Sequence, residues 1–267
     1  MYLSAIRLFS ITAGCVTMAA AQNPTPGYVV DQCYKAAPGK AAEVNALVHD
    51  VSAKYHRVLV DEGSQAWWLV AAAVVPAGAA VRCDYRVVSG YNGFPPEAAT
   101  PERVTAGLGK AGINMTSAEF TAKRDSIVSL VSTEIWHTLA EAGAHPGKGQ
   151  YVRINYYKVK PGQGAEFSRL ERTGWGPFVE SLKDSHMGWQ FNSLAMPTGE
   201  SLHYNASTVD MYPTWEALGK GWPTATEWPK VHPDLPAAVY TGQVNNTVER
   251  YAADVLHIIE VVAPAPK

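Results

Sequence analysis

The chain contains two diverged copies of one sequence block. "YVVDQCYKAAPGKAAE" begins at Tyr28 and "YVRINYYKVKPGQGAE" begins at Tyr151, and eight of the 16 aligned positions are identical. Further along, Trp68 of the first copy matches Trp189 of the second. A unit of roughly 115 residues has the size of a small domain, and repeated units often share one core. We therefore predict two similar units within one chain.

The first residues have the pattern of a secretory signal peptide. Arg7 is the lone charged residue of 1–21, an apolar run follows it, and Ala19 and Ala21 have A-x-A spacing. Such a run is too short for a helix that spans a membrane with a stop-transfer flank. We expect 1–21 to be removed and the protein to be exported to the periplasm or secreted, with no membrane span left. Lipidation at Cys15 is an open alternative.

The composition does not favour nucleic acid or an anionic membrane surface as a partner. The 267 residues include 22 Lys and Arg against 24 Asp and Glu, so the formal net charge is −2. Nucleic-acid binding and attraction to an anionic membrane surface both favour a basic excess or cluster. We therefore predict no nucleic-acid partner; the partner that we do predict, a small-molecule ligand, follows from the strand pattern described below.

Each copy has the pattern of a ferredoxin-like unit. The segment "YVRINYYKV" is rich in β-branched and aromatic residues and ends at a Pro-Gly turn. An amphipathic helix follows, and then two strands that form a hairpin. This start predicts the α+β plan βαββαβ, with one unit at 22–147 and the second at 148–267. Two units packed sheet to sheet would form an intramolecular pseudo-dimer, which predicts a monomeric protein.

The second copy also carries a series of short motifs in a fixed order. They are a Tyr-Lys-Pro-Gly strand end at 157–162, a helix with Glu, Trp and Pro at 171–177, a Gly-Trp strand at 188–189, a Pro-x-Gly turn at 197–199, and Tyr204. In this order they resemble the dimeric α+β barrel superfamily, in particular an exported bacterial branch. The resemblance implies the fold and leaves the chemistry open, because this superfamily includes monooxygenases, isomerases, cyclases and haem enzymes.

Two cysteines remain in the mature protein, and both lie in the first copy. Cys33 and Cys83 correspond to Tyr156 and Tyr204 of the second copy. Disulfide bonds persist in exported proteins, and the ferredoxin-like plan makes the two strands neighbours. We predict a Cys33–Cys83 disulfide, with two buried free thiols as the alternative.

Strand alternation predicts a polar pocket between the two sheets. We expect the side of the strand that holds Val152, Ile154 and Tyr156 to face the helices, and the opposite side to face the pocket. The predicted catalytic residues are His203, with Tyr157 and Arg153 polarising or anchoring a carbonyl or carboxylate. The predicted ligand-binding residues are Asn155, Asn205, Trp189, Tyr34 and Arg82.

The remaining motifs favour neither a cofactor nor a metal. "GLGKAG" at 107–112 lacks the βαβ context of a dinucleotide site. The acid-x-x-His pairs Glu134/His137 and Asp254/His257 could share a helix face, but on a strand their side chains would point in opposite directions. We predict no cofactor and no metal site.

Three classes of function fit these patterns. The first is a binding protein for a small, aromatic or apolar molecule held between the sheets. The second is a cofactor-independent enzyme of the monooxygenase, isomerase or cyclase type that uses the same pocket. The third is an assembly module whose sheet face pairs with another protein.

Overall fold

The computed structural model describes residues 27–76, 81–198 and 202–264. The predicted signal peptide at 1–21 lies outside these residues. The first half of the chain has a strand, a helix interrupted by one π-helical turn, two strands, two helices and a final strand. Its elements are β1 (Tyr28–Ala36), α1 (Ala41–Leu47), the π turn Val48–Ser52, α2 (Ala53–Asp61), β2 (Trp67–Val75), β3 (Tyr85–Tyr91), α3 (Pro101–Lys110), α4 (Ser117–Asp125) and β4 (Val128–Gly143).

The second half repeats this order. Its elements are β5 (Tyr151–Val159), α5 (Gly164–Leu170), the π turn Glu171–Trp175, α6 (Gly176–Glu180), a short 3₁₀ turn (Lys183–Ser185), β6 (Gly188–Met196), β7 (Ala206–Tyr212), α7 (Trp215–Lys220), α8 (Thr224–Val231), α9 (Ala237–Thr247) and β8 (Val248–Val262). No helix within the described ranges has the length and apolar character needed to cross a membrane.

The Pro-Gly turn shared by the two copies has one physical cause. Gly39 and Gly162 follow the first strand of each half and have φ angles of 77° and 76°. An L-residue with a side chain is strained in this left-handed region, whereas glycine is not. The turn reverses the chain from the strand into the helix that covers it. The duplicated letters therefore mark a duplicated strand-to-helix connection.

The eight strands of the described residues form one closed antiparallel barrel. Their order is β1-β3-β2-β8-β5-β7-β6-β4, and β4 closes the barrel by pairing with β1. Each half contributes the order of a ferredoxin-like sheet, β4-β1-β3-β2 and β8-β5-β7-β6. The two sheets join where β2 pairs with β8 and β4 pairs with β6. The predicted pair of ferredoxin-like units that forms an intramolecular α+β barrel is confirmed.

Three hydrophobic cores result from this arrangement. The helices of each half cover the outside of their own sheet, which gives a helix-side core for each half. Representative residues are Leu47, Val51 and Trp68 in the first half and Phe167, Phe178 and Trp228 in the second. The third core lies inside the barrel and includes Leu69, Trp136, Val152, Met211 and Ile258.

The predicted assignment of strand faces was wrong. Val152, Ile154 and Tyr156 point into the barrel, whereas Tyr157 packs in the helix-side core of the second half. Arg153 alternates with the inward residues and therefore faces the helices. Both faces of β5 are covered, one by helices and one by the opposite barrel wall. Burial alone therefore does not show which face of this strand is which.

Candidate functional site: the cavity inside the barrel

The barrel encloses a cavity of about 860 Å³. Ligand pockets in proteins commonly have volumes of about 300–1,000 Å³, so this cavity can hold a small organic molecule. Its wall consists mainly of inward-facing apolar side chains from both halves of the chain. Among them are Val29, Leu69, Ala71, Val88, Trp136, Val152, Ile154, Val209, Met211, Leu256 and Ile258.

One end of the cavity opens beside the segment that follows β4. Glu141, the exposed His145 and the exposed Glu180 line this end, together with Trp67 and Trp189. The Gly143 backbone N–H donates to the Glu180 carboxylate at 3.3 Å, which joins this segment to α6. We refer to this end as the mouth and to the opposite end as the floor.

The floor is built around a buried arginine. Arg86 is only 1% exposed, and it donates to Asp31 Oδ2 at 2.5 Å and to Asp254 Oδ2 at 3.1 Å. Its guanidinium carbon lies 5.5 Å from the centroid of the Tyr156 ring. These four residues come from β3, β1, β8 and β5, so Arg86 crosses the barrel from one half to the other. We call Asp31, Arg86, Asp254 and Tyr156 the floor cluster.

Another ion pair lies next to the floor cluster. Arg82 donates to the Tyr204 hydroxyl at 2.6 Å and to Glu134 at 3.0 Å. Tyr204 donates a short hydrogen bond to Glu134, and Trp136 Nε1 donates to the same carboxylate at 3.2 Å. The Trp136 and Tyr204 rings are stacked with centroids 6.0 Å apart. Buried carboxylates require such partners, because an unpaired buried charge is costly.

Three buried polar atoms of the floor cluster have no hydrogen-bond partner among the described residues, namely Asp31 Oδ1, Arg86 Nε and the Tyr156 hydroxyl. Of these three residues, Asp31 and Tyr156 line the cavity. Buried polar groups are nearly always hydrogen-bonded, to protein or to ordered water. Asp31 Oδ1 and the Tyr156 hydroxyl therefore mark a polar site at the floor of the cavity, where a ligand or water can complete their hydrogen bonds.

Burial sets the protonation of this polar end. It raises the pKa of the Asp31 carboxyl, although the attraction of Arg86 opposes the change. Burial also raises the pKa of the Tyr156 hydroxyl well above its ordinary value. Tyr156 is therefore a hydrogen-bond donor at neutral pH. The Asp31 carboxyl holds its proton more strongly than an ordinary aspartate does, because desolvation destabilises its charged form.

The structure contains the predicted disulfide. The Sγ atoms of Cys33 and Cys83 are 2.08 Å apart, and the two Cα atoms are 5.2 Å apart. The predicted facing was wrong here too, because Cys33 lies two residues after Asp31 and four after Val29, which both face inward, and so it also points into the barrel. In the second half the corresponding pair is Tyr156 and Tyr204, whose ring centroids are 4.8 Å apart. The bond therefore joins β1 to the segment before β3 at the floor end.

The predicted catalytic residues do not meet in the cavity. His203 is exposed and stacks on Tyr251, with ring centroids 5.1 Å apart. Tyr157 is buried in the helix-side core, and Arg153 donates to the Tyr212 hydroxyl at 2.9 Å on that same side. For Tyr157 and Arg153 the physical reason is that they lie on the face of β5 that packs against the helices, and so they point away from the barrel interior.

The predicted ligand-binding residues are divided among several places. Trp189 lines the cavity, and Arg82 belongs to the ion pair beside the floor. Tyr34 lies in the helix-side core of the first half, and Asn205 accepts a hydrogen bond from the Val159 backbone N–H at 2.8 Å. Asn155 faces the helices, where it donates to Asp210 at 2.9 Å.

A polar cluster lies between β5, β7 and the second π turn. Asp210 accepts hydrogen bonds from Asn155 and Arg153, and burial raises the pKa of its carboxyl. Glu171 of the π turn is only 6% exposed. Burial, with the nearby charge of Asp210, raises the pKa of Glu171 to about 8. Glu171 is therefore mostly protonated at neutral pH.

The acid-x-x-His pairs lie on strands, so their members point in opposite directions. Glu134 and Asp254 face the barrel interior and pair with arginines. His137 stacks on Tyr28 with centroids 4.8 Å apart, and His257 contacts Tyr151 at the same distance. No group of three or more His, Cys, Asp or Glu side chains suited to a metal ion occurs in the part of the chain that the structure describes.

The floor cluster is not predictable from local sequence patterns. Asp31, Arg86 and Asp254 come from distant strands, so no local pattern connects them. One signal was present, since Asp31 is a charged residue in the middle of a strand whose neighbours are mainly apolar. A charge at such a position is rarely buried unless it is paired, which would have justified a search for a buried arginine.

The solved structures that share this fold include two candidate monooxygenases. A candidate monooxygenase from Lactobacillus acidophilus NCFM matches with a TM-score of 0.56 at 12% identity, over 90% of this chain and 96% of that chain. A candidate monooxygenase from Fusobacterium nucleatum matches with a TM-score of 0.52 at 11% identity, over 88% of this chain and 94% of that chain. No protein-family profile and no curated protein matches the chain. At these identities the likeness shows the fold alone, a dimeric α+β barrel.

Proposed function

We propose that this protein binds a small, mainly apolar organic molecule inside its barrel. The observation that carries the proposal is the cavity of about 860 Å³ between the two sheets. Natural cores are close-packed, and voids larger than a water molecule are few and small. A core that leaves this much space in the middle of a two-sheet barrel therefore sacrifices packing for a volume that a ligand can fill.

The wall supports a mainly apolar ligand with a polar group at its buried end. Most of the lining side chains are aliphatic or aromatic, and burial of apolar ligand surface against them contributes roughly 25 cal/mol per Å². Two unpartnered polar atoms of lining residues, Asp31 Oδ1 and the Tyr156 hydroxyl, lie at the floor, next to Arg86. A few polar groups in an apolar pocket orient a ligand, and here they would orient it along the barrel axis.

We also propose that the protein acts after export. The pattern of 1–21 and the Cys33–Cys83 disulfide both support this, because disulfides persist in the periplasm and outside the cell. N-terminal sequencing of protein recovered from the periplasm or culture medium tests the proposal. We expect the mature chain to begin at Gln22. Recovery in the cytoplasm with the leader intact would contradict it.

Binding of Nile red tests the main proposal. This neutral dye fluoresces strongly in apolar surroundings, so its titration with protein reports an apolar site. Val209 lines the cavity, and Val209→Phe fills part of it. We expect this variant to bind the dye about tenfold more weakly, since overpacking a site typically costs about 1–3 kcal/mol.

The matched control is the same substitution on the protein surface. Val239 lies on α9 and is 50% exposed. We expect Val239→Phe to bind Nile red as the wild-type protein does. Equal affinities for both variants and the wild type would place the dye elsewhere and contradict a binding site in the barrel.

A cofactor-independent enzyme is the second candidate. The observation in its favour is the buried Asp31 carboxylate, which has a free oxygen toward the cavity and a raised pKa. Such a group can remove a proton from a bound molecule. The names of the two matched structures make oxygen insertion one reaction to assay. An enzyme would lose turnover in Asp31→Asn and retain Nile red binding, whereas a binding protein has no turnover to lose.

The structure offers less support for an assembly module. The outer face of each sheet is covered by helices, and the inner face is covered by the opposite sheet. The strands at the edge of each unit, β2, β4, β6 and β8, pair within the chain. The sheet faces and edges that such a module would present are therefore already used.

A further inference from the structure

We infer that the ligand carries a hydroxyl group at its buried end and no carboxylate there. This inference rests on the proposed function and names the class of molecule that the cavity accepts, namely a neutral hydroxylated compound such as a phenol. The basis is that the cavity floor holds one unpartnered acceptor, Asp31 Oδ1, and one unpartnered donor, the Tyr156 hydroxyl.

The two atoms belong to one local arrangement. Asp31 stands on β1 in the first half and Tyr156 on β5 in the second. Arg86 brings them together, because it donates to the other Asp31 oxygen at 2.5 Å and lies 5.5 Å from the Tyr156 ring centroid. The salt bridge uses Oδ2 and so leaves Oδ1 as the free acceptor.

A hydroxyl group fits this pair of atoms. Its hydrogen can be donated to Asp31 Oδ1, and its oxygen can accept from the Tyr156 hydroxyl. A methyl group at the same place would displace water and leave both protein atoms without partners, which is costly in a buried site. Selection for a polar group over its apolar isostere is accordingly strong wherever a site would otherwise keep unpaired buried groups.

The charges around the floor disfavour a carboxylate. Asp31, Asp254 and Glu134 supply three acidic groups, whereas Arg86 and Arg82 supply two basic ones. Both arginines already donate to these acids through their Nη atoms, and Arg86, whose buried Nε–H has no partner, is not among the residues that line the cavity. A carboxylate would have no proton to donate to Asp31, and it would meet a like charge in an enclosed site.

Competition against Nile red with three matched compounds tests the inference. The compounds are 2-naphthol, 2-methylnaphthalene and 2-naphthoate, which share one ring system and differ in the polar group. We expect wild-type protein to bind 2-naphthol about tenfold more tightly than 2-methylnaphthalene, and to bind 2-naphthoate most weakly.

Two variants locate the preference. Tyr156→Phe removes the donor, and Asp31→Asn replaces the charged acceptor while Arg86 keeps its bond to Asp254. Each should reduce the preference for 2-naphthol to less than about threefold, because it removes or alters a group that the hydroxyl satisfies and that the methyl group leaves unpaired. Tyr157→Phe is the matched control, because Tyr157 is the adjacent buried tyrosine and faces the helices. It should keep the full preference.

The outcomes separate this inference from the proposed function. If 2-naphthol and 2-methylnaphthalene bind equally, or if 2-naphthoate binds best, the inference is overturned and the apolar site stands. A preference that survives in both Tyr156→Phe and Asp31→Asn overturns it as well. If none of the compounds and no Nile red binds, the proposed function itself fails.

Discussion

Arg86 donates a hydrogen bond to Asp31 across the floor of the barrel, with Nη1 and Oδ2 2.5 Å apart. The contact joins β3 to β1, and the second bond of Arg86, to Asp254, joins the first half of the chain to the second. Arg86 therefore has two functions. It neutralises buried carboxylates, and it fixes the Asp31 oxygen that remains open to the cavity.

Replacing Arg86 should strongly destabilise the protein. Arg86→Met leaves the buried Asp31 and the partly buried Asp254 without their cation, and loss of one partner of a buried ion pair typically costs about 3–5 kcal/mol. Adding Asp31→Asn to this variant should recover part of the loss. Unfolding in urea measures both effects.

Arg124→Met serves as the control for this measurement. Its ion pair with Asp125 is largely exposed, so we expect a change within about 1 kcal/mol. A loss for Arg86→Met as small as that of the control would show that the floor cluster contributes little to stability.

The disulfide should contribute measurably to stability. Cys33 and Cys83 are 50 residues apart, and closing a loop of this length is worth about 4 kcal/mol in the chain-entropy model. The double variant Cys33→Ala/Cys83→Ala should lose about 2–4 kcal/mol in urea unfolding. Thiol titration of the denatured, unreduced protein supplies the direct check. Two free thiols from these positions would contradict the bond.

Glu171 should make stability fall as the pH rises. The pKa of its carboxyl is raised to about 8 in the fold, from an ordinary value of 4.5. Between these values the unfolded chain has released the proton and the folded chain still holds it, so rising pH favours unfolding. Below pH 4.5 both states are protonated and the full contribution is present.

The variant Glu171→Gln removes this titration and keeps the size of the side chain. Relative to the wild type it should gain up to about 1.4 kcal/mol of stability per pH unit from pH 5 to pH 8. Urea unfolding at pH 5, 6.5 and 8 provides the comparison. Parallel stability profiles for the two proteins would show that Glu171 has an ordinary pKa.

The native mass should equal that of one chain. The edge strands that pair two subunits in a dimeric barrel are already paired here, β2 with β8 and β4 with β6. Light scattering after size exclusion should therefore give at most the full-chain mass of 28.8 kDa at micromolar concentration. Twice that mass would contradict the proposed monomer.

The fold could be predicted from the sequence because its determinants are local and duplicated. The Pro-Gly turns at Gly39 and Gly162, the strand patterns and the paired tryptophans repeat in the same order. Because the same local pattern occurs twice, it identifies one structural unit in each half of the chain. The ferredoxin-like order of the strands follows from that unit.

The site could not be predicted to the same extent, because it depends on which side of each strand faces the barrel interior, and tertiary packing decides this. Every residue of β5 is at least partly buried, from Tyr151 to Val159, so alternation does not reveal the inner side. The polar residues Arg153 and Asn155 face the helices, where Asp210 binds both. The cavity instead has an apolar wall, and its few polar atoms come from residues that are distant in sequence.

The most direct test of the account is a crystal structure with 6-bromo-2-naphthol. Its bromine gives an anomalous signal, and its hydroxyl is the group that the floor should recognise. We predict a bromine peak inside the barrel, with the hydroxyl oxygen of the compound within hydrogen-bond distance of Asp31 Oδ1 and the Tyr156 hydroxyl. A compound that binds in solution but gives its bromine peak outside the barrel would contradict it.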